Sequence, residues 1–431
     1  MLQFLKKVFH KSSESEESTD TRRATPTVAV IPRAEHGISR TQINEYALKV
    51  LYRLKDRGFE AYLVGGCVRD LLLGVTPKDF DVVTNALPEE VRSVFKNCRL
   101  IGRRFRLAHV YFGEEIIEVA TFRGRDTGDV PTTDHGRVLR DNAYGVSIEE
   151  DAERRDFTAN ALYYNIRDFS VIDFQNGWDD LCSRELRVIG DPEQRFREDP
   201  VRMLRAIRFA TKLGFTIEPN AAQALKQCIP LLSGVSSARL FDELLKLFML
   251  GKSEAVWPAL KENHILPILL PAWAHLNDAQ ERYVMALMHA MDARVAEGKH
   301  VSVPFFWAAL MWTRLSEKTL SNLSALEHMI GELFAEQCRI AGISQRIIMQ
   351  VRDILALHFQ LQYPRRGRCE RCIEHSRYRA AYDLLLLRAQ AGDTSVTNTI
   401  AWWTSYAAGD EPARIALEAR LPAQRRRKSR S

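Results

Sequence analysis

The order strand, Gly-Gly, helix, turn, acidic strand constrains this chain more than any other feature of its 431 residues. Leu63-Val64-Gly65-Gly66-Cys67-Val68-Arg69-Asp70 reads as an apolar strand that ends on two glycines and opens a helix. Gly74 and Pro77 mark a turn, and Lys78-Asp79-Phe80-Asp81-Val82-Val83-Thr84 reads as a second strand. Alternate side chains of a strand share a face, so Asp79 and Asp81 are expected on one side and Phe80 and Val82 on the other. Two anions so close repel unless a cation lies between them. Mg²⁺, with Mn²⁺ as the alternative, prefers carboxylate oxygens and keeps phosphates as further ligands. The bare N–H groups of Gly65 and Gly66 at the opening helix suit a phosphate. Singly, a D-x-D pair is a solvated strand edge and a Gly-Gly is a tight turn; only their order together is specific.

Arg69, one helical turn beyond Gly66, could reach the same phosphates or pair with Asp70 at the surface. The strand over 115–122 is interrupted by Glu118. Either Glu118 lies in water at a sheet edge, or it joins Asp79 and Asp81 in an acidic cluster. Two cations held there would activate an attacking hydroxyl and neutralise a leaving pyrophosphate. Farther on, Asp199 is placed to cap a helix whose first residue is Pro200. On that helix Arg202, Arg205, Arg208 and Lys212 form one stripe, opposite Met203, Leu204, Ala206, Ile207, Ala210 and Leu213. Amphipathicity alone makes this a surface helix with a solvated basic face. Arg154-Arg155-Asp156 alone reads as a charged helix start with Thr158 and Asn160 as local caps.

The net charge is +6, but its distribution is uneven. Basic residues cluster at Arg103, Arg104 and Arg106, at Arg365, Arg366, Arg368, Arg371, Arg377 and Arg379, and in the run from Arg425 to Arg430. One such cluster is a solvated surface; three beside a phosphate-binding pattern suit a polyanion, and RNA fits best. Tyr363 and Tyr378 interleave the second cluster and could stack on bases. The seven cysteines are scattered and odd in number, as in the reduced thiols of cytoplasmic proteins. Cys369-x-x-Cys372 with His375 has metal-like spacing, but no second ligand pair accompanies it, which argues against zinc. No apolar run approaches the ~20 residues of a membrane span. Residues 1–11 are basic and amphipathic without the apolar stretch of a signal peptide. They suit a disordered segment or short turn, with weak peripheral membrane contact as an alternative.

The expected fold is an α/β head with a small mixed, antiparallel-rich sheet, followed by an all-α neck and body. The boundaries are a flexible leader over 1–40, a head over 41–190, a neck over 191–250, a helical body over 251–409 and a disordered basic tail over 410–431. A helix over 41–57 leads into the head. Body helices are expected over 302–315, 320–341, 345–361, 378–391 and 397–407.

Gly65-Gly66-x-Val68-Arg69-Asp70 followed by Lys78-Asp79-Phe80-Asp81-Val82 resembles the head motif of the nucleotidyltransferase family of bacterial poly(A) polymerases and tRNA CCA-adding enzymes. Arg154–Leu162 and Arg197–Phe209 are similar to two later motifs of that family, in family order. Gly102–Val110 and the Arg-rich end resemble its poly(A) polymerase branch. Cys67 departs from the usual Gly or Ala but is still small. The resemblance implies a nucleotidyltransferase head in which Asp79, Asp81 and Asp156 are catalytic, and Asp79, Asp81 and Glu118 hold Mg²⁺. It also implies that Gly65, Gly66, Arg69, Arg155, Asp199, Arg202 and Arg205 bind the nucleotide. Whether Glu118 or Asp156 completes the carboxylate cluster stays open.

By the same resemblance Asp199 and Arg202 read the incoming base. A carboxylate only accepts hydrogen bonds and an arginine only donates, so the pair suits adenine or cytosine and rejects uracil and guanine. It cannot separate A from C. The resemblance therefore implies ATP-dependent polyadenylation of RNA 3′ ends in mRNA and small RNAs, with the CCA-adding reaction on tRNA as its rival. It further implies a cytoplasmic monomer that marks RNA for decay and meets proteins of RNA decay. The chain carries no His-Asp dipeptide, which argues against the phosphohydrolase domain of some CCA-adding relatives.

Overall fold

The computed structural model describes residues 28–102, 106–124, 144, 147–315 and 323–421. Eight strands form one sheet: β1 (Ala29–Ile31), β2 (Ala61–Val64), β3 (Asp81–Thr84), β4 (Cys98–Ile101), β5 (Leu107–Phe112), β6 (Glu115–Thr121), β7 (Leu162–Asn165) and β8 (Val171–Asp173). Their order across the sheet is β1-β8-β7-β2-β3-β6-β5-β4. β3 and β6 run parallel and every other neighbouring pair is antiparallel. The antiparallel pairs β4·β5, β5·β6 and β7·β8 join strands that follow one another directly in the sequence.

The central strands are apolar on both faces because both faces are covered. Leu63 and Val82 enter the main core with Val50, Leu51 and Leu54 of the helix Glu45–Asp56. Their chain neighbours Val64 and Val83 join Phe122, Ala152 and Tyr163 in a second cluster on the other face. The period of two thus sends successive residues into different cores. β3 begins at Asp81, so Asp79 precedes the strand, although the alternation continues: Phe80 is buried while Asp79 and Asp81 are exposed. β6 lies between β3 and β5, which removes the sheet-edge reading of Glu118.

The chain becomes helical after the sheet. Val201–Leu213 ends on Gly214 at φ 67°, and its apolar face buries Met203, Leu204, Ala206 and Ile207. Its basic face is largely ion-paired, although Lys212 stays exposed, so it is not the freely solvated face that amphipathicity alone suggested. Arg205 pairs with Asp156, Arg208 with Glu243 and Lys212 with Asp70. Body helices span Val303–Leu315, Leu323–Ile340, Gln345–Gln362, Tyr378–Gln390 and Thr397–Ala408. One apolar core runs without a break from Ile31 in the sheet to Leu387 in the body. A smaller cluster around Trp403 and Tyr406 closes the C-terminal end.

Two expectations at the ends of the chain change. Ala29–Ile31, assigned to the flexible leader, pairs with β8. Glu411–Ala419, assigned to the disordered tail, is a helix. Asp410 caps it, and Glu418 accepts from Tyr406 and from the Gly367 backbone N–H. Those hydrogen bonds, with the packing of Leu417 against the Trp403 cluster, offset the ordering cost that a charged tail alone could not. Residues 1–11, Arg103, Arg104 and the run from Arg425 to Arg430 lie outside the described residues. Among the described residues no helix is long and apolar enough to cross a membrane.

Candidate active site

Strand pairing assembles the acidic side of the site. Val64, the last residue before the glycines, lies opposite Asp81 in the β2·β3 pair. Asp81 lies opposite Glu118 in the β3·β6 pair. The Gly-Gly turn, Asp81 and Glu118 are therefore brought side by side on three adjacent strands. Gly65 has φ 76° and ψ −133°, a conformation that strains any L side chain, and it lets the chain turn sharply into the helix Gly66–Leu72.

Val64, Asp81 and Glu118 edge a cavity of about 360 Å³ between the sheet and the neck helices. Asp81, Glu118, Arg155, Asp156, Asp199, Arg202 and Arg205 line it, drawn from segments more than a hundred residues apart in sequence. Asp81 keeps an exposed surface toward the cavity mouth, while protein atoms surround its other sides. That burial, and then the nearby Glu118, push its pKa up to about 6; Arg155 pulls it down and Asp79 adds a smaller upward push. Glu118 is half exposed, with His109 Nε2 at 3.6 Å.

A donor set made of carboxylate oxygens suits a hard divalent cation. Among the described residues no group of three His, Cys, Asp or Glu side chains is arranged to hold a metal ion unaided. Asp81 and Glu118 thus fit as part of a coordination sphere that phosphate and water oxygens would complete.

The arginines around the cavity are tied down. Arg155 donates to Asp151 Oδ2 at 2.8 Å from Nη2 and 3.0 Å from Nε, and to the Tyr163 hydroxyl at 3.0 Å. Arg155 Nη1 lies 3.4 Å from where a side chain on Gly65 would begin, so the guanidinium abuts the Gly-Gly turn. Asp156 is fully engaged. Its Oδ1 accepts from the Phe157 backbone N–H and from Asn160, and its Oδ2 accepts from Arg205. Burial raises its pKa, but Arg205 and these hydrogen bonds outweigh burial and hold the carboxyl below its ordinary value. Asp156 is accordingly a group that holds Arg205.

Two placements differ from the sequence expectation. Arg69 does not face the cavity; it is buried, bound to Asp70 at 2.8 Å and Asn160 at 2.6 Å, with its guanidinium 5.2 Å from the Phe209 ring centroid. It staples the Gly-Gly helix to the neck. Asp199 does not cap the helix Val201–Leu213 with its side chain. Its Oδ2 accepts from Arg239 at 2.9 Å, while Oδ1 is buried with no partner among the described residues. Arg202 Nη1 donates to the Arg195 carbonyl at 2.8 Å.

Residues 61–187 match the poly A polymerase head domain, residues 214–276 the probable RNA and SrmB-binding site of polymerase A, and residues 318–431 the polymerase A arginine-rich C-terminus. Poly(A) polymerase I of Salmonella typhi is 44% identical over 451 aligned residues, covering 99% of this chain and 96% of the relative. The chain belongs to the poly(A) polymerase family of nucleotidyltransferases. A CCA-adding enzyme of Lactobacillus helveticus is 41% identical, but over only 47% of this chain and 49% of the relative. Among solved structures, the Bacillus stearothermophilus CCA-adding enzyme in complex with CTP aligns with a TM-score of 0.59 at 26% identity, covering 86% of this chain and 90% of that one.

In this poly(A) polymerase-family fold the body arginines stand apart from the nucleotidyltransferase cavity. Arg365, Arg366, Arg368 and Arg371 are exposed, and Arg379 is exposed but ion-paired with Asp383 at 2.9 Å. Arg377 and Arg379 line a second cavity of about 950 Å³ beside the helices Asp278–Ala296 and Tyr378–Gln390. Its rim carries Glu254, Glu297 and Asp383 as well, so its charge is mixed. Tyr363 is exposed and open to a base, whereas Tyr378 is packed against Tyr382 and Trp403 and belongs to the core of the C-terminal end. Cys369 and Cys372 are buried in the C-terminal cluster, and His375 is exposed.

Sequence reasoning missed Asp151, Arg195 and Arg239. Asp151 stands four residues before Arg155, a spacing that places an acid and a base on one helix face and could have revealed it. Arg195 precedes Glu198 by a helical turn and carried a weaker signal of the same kind. Arg239 reaches Asp199 across 40 residues, and no local pattern announces that contact.

Proposed function

We propose that this chain adds AMP from ATP to the 3′-hydroxyl of RNA without a template, releasing pyrophosphate, and that the added tails mark transcripts for decay. The observation that carries this reading is the adjacency of the Gly-Gly turn, Asp81 and Glu118 across β2, β3 and β6, facing Asp199 and Arg202 over one cavity. Asp79, Asp81 and Glu118 would hold Mg²⁺, which when bound supplies Lewis acidity for the attacking hydroxyl and the leaving pyrophosphate. The backbone N–H groups of the Gly-Gly turn receive phosphate oxygens, and Arg155, already fixed by Asp151 and Tyr163, orients the sugar and phosphates.

The base meets the opposite wall. Asp199 Oδ1 lacks a partner among the described residues and is free to accept from an exocyclic amino group. Arg202 donates to the neighbouring ring nitrogen. Uracil or guanine would set like against like and leave buried polar groups unpaired, at about 1–3 kcal/mol each. Arg205, held by Asp156, braces the same wall. The exposed arginines at 365, 366, 368 and 371, with Arg377 and Arg379 nearby, carry the RNA by charge.

Adenylation is preferred over CCA addition because the poly(A) polymerase relative aligns over 99% of the chain, while CCA-adding and CC-adding relatives align over 47% to 66% of it. The test offers the purified protein a generic RNA 3′ end with each nucleoside triphosphate separately, then a tRNA lacking its terminal nucleotides. ATP should extend the generic RNA into a tail. CTP addition confined to tRNA would overturn adenylation, and normal extension by Asp79→Ala would overturn the metal site.

A further inference from the structure

Arg195 does not line the cavity itself, yet it bonds to residues on both sides of it. It lies on the helix Pro192–Glu198, and its side chain is 15% exposed. Nη2 donates to the carbonyls of Arg154 at 2.9 Å and Arg155 at 2.7 Å. Nη1 donates to Glu198 Oε2 at 3.0 Å. The Arg195 carbonyl in turn receives Arg202 Nη1 at 2.8 Å, and Glu198 Oε2 receives the same nitrogen at 3.3 Å. A single residue thus ties the backbone beneath Arg155 and Asp156 to the residues flanking Asp199 and Arg202.

The chemistry explains the residue type. Arg154 and Arg155 end the helix Ile148–Arg154, where unpaired carbonyls and the negative end of the helix dipole attract a cation. A planar guanidinium can serve two adjacent carbonyls and a carboxylate at once from fixed directions. A lysine ammonium is a point charge on a flexible stem and cannot hold that spacing. The arrangement is electrostatically unfavourable in itself: burial and the neighbouring Arg202 cation both lower the Arg195 pKa, and its Nε is buried without a partner among the described residues. The strong hydrogen bonds of this buried cation all fall where the two walls meet.

We infer that Arg195 is a positioning residue that sets the separation of the Arg155–Asp156 wall from the Asp199–Arg202 wall, and so governs which bases the cavity accepts. This rests on the proposal that Asp199 and Arg202 read the base. The test uses full-length Arg195→Lys and Arg195→Gln beside Asp199→Asn. Each is assayed for kcat and KM of single-nucleotide addition to an RNA oligonucleotide with each of the four triphosphates, and for its thermal unfolding midpoint.

Arg195→Lys should lower the kcat/KM preference for ATP over GTP and UTP by roughly tenfold to a hundredfold, chiefly through a raised KM for ATP, in a protein that still unfolds cooperatively. An unchanged preference in a folded variant overturns the inference. So does an equal loss with all four nucleotides, or failure of both Arg195 variants to fold, since each assigns Arg195 to stability alone. Asp199→Asn separates the two levels. If it alters the preference while the Arg195 variants do not, only the role of Arg195 falls. If Asp199→Asn leaves the preference untouched, base reading at this wall falls, and this inference with it.

Discussion

Around the head–neck cavity the guanidinium groups of Arg155, Arg195 and Arg205 are each fastened to an acid or to backbone carbonyls. In the body those of Arg365, Arg366, Arg368 and Arg371 lie exposed, and no ion pair holds them among the described residues. The same residue type is used for two purposes. A fastened guanidinium has already lost its rotamer freedom during folding, so it presents donors in fixed directions and can discriminate one base edge from another. A free one adapts to any phosphate and contributes attraction that salt screens. Under the proposed function, selectivity would belong to the cavity and retention of the polymer to the body.

Asp81→Asn challenges this division most severely. Nucleotide addition should fall by about a thousandfold or more, the several kcal/mol expected of a metal ligand, while RNA retention on a filter stays at the parent level. Equal loss of both would show that the two regions are not separable. The same variant tests the electrostatics. Asp81 in the metal-free protein keeps its proton up to about pH 6, above its ordinary value of 3.8. Its contribution to stability is then fully present below about 3.8 and is lost as the pH rises through about 6. Metal-free Asp81→Asn should accordingly melt at a higher temperature than the parent at pH 7, and the gap should close near pH 4.

Asp199→Asn comes next in size. Adding a donor where only an acceptor suits adenine should cut the kcat/KM preference for ATP over GTP and UTP by about 1–3 kcal/mol, or roughly 5- to 150-fold. Competition assays with paired triphosphates measure it, and an unchanged ratio would place base reading elsewhere. Replacing Arg365, Arg366 and Arg368 together with alanine should weaken RNA binding. The slope of log K against log salt should shrink by about 2, because each phosphate neutralised on a single strand accounts for about 0.7 of it. The ranking of the four nucleotides should stay as in the parent; a changed ranking would tie the body to selectivity. Gly65→Ala is read on stability rather than on either function, because alanine does not freely adopt the φ of 76° at that position. A loss of about 1–3 kcal/mol in denaturant unfolding is expected, and a neutral result would mean that the turn relaxes.

Much of the head was legible because its signals are local. The Gly-Gly turn, the alternation of Phe80 and Val82 with Asp79 and Asp81, and the two faces of Val201–Leu213 follow from chain periodicity and are found where the periods put them. The body helices were legible for the same reason. The Arg69–Asp70 pair was legible, but its burial was not, because Asn160 and Phe209 arrive from distant segments to cover it. The Asp199 side chain looked like a helix cap until Arg239 drew it aside. The helix Glu411–Ala419 was hidden by its charge, because its anchors are Tyr406 and Gly367 rather than its own composition.

From the order of amino acids alone come the segments that form strands or helices, the apolar face of each, and the carboxylates and arginines offered to a nucleotide. Those follow from backbone periods and side-chain chemistry within a few residues. Which of the offered groups meet was settled by tertiary packing. The parallel pairing of β3 with β6 sets Glu118 beside Asp81, and the packing of the neck against the sheet gives Asp156 to Arg205 and the carbonyls of Arg154 and Arg155 to Arg195. Such partners lie 37 (118 − 81) to 49 residues apart, where contact depends on how whole elements pack and leaves no trace in local spacing.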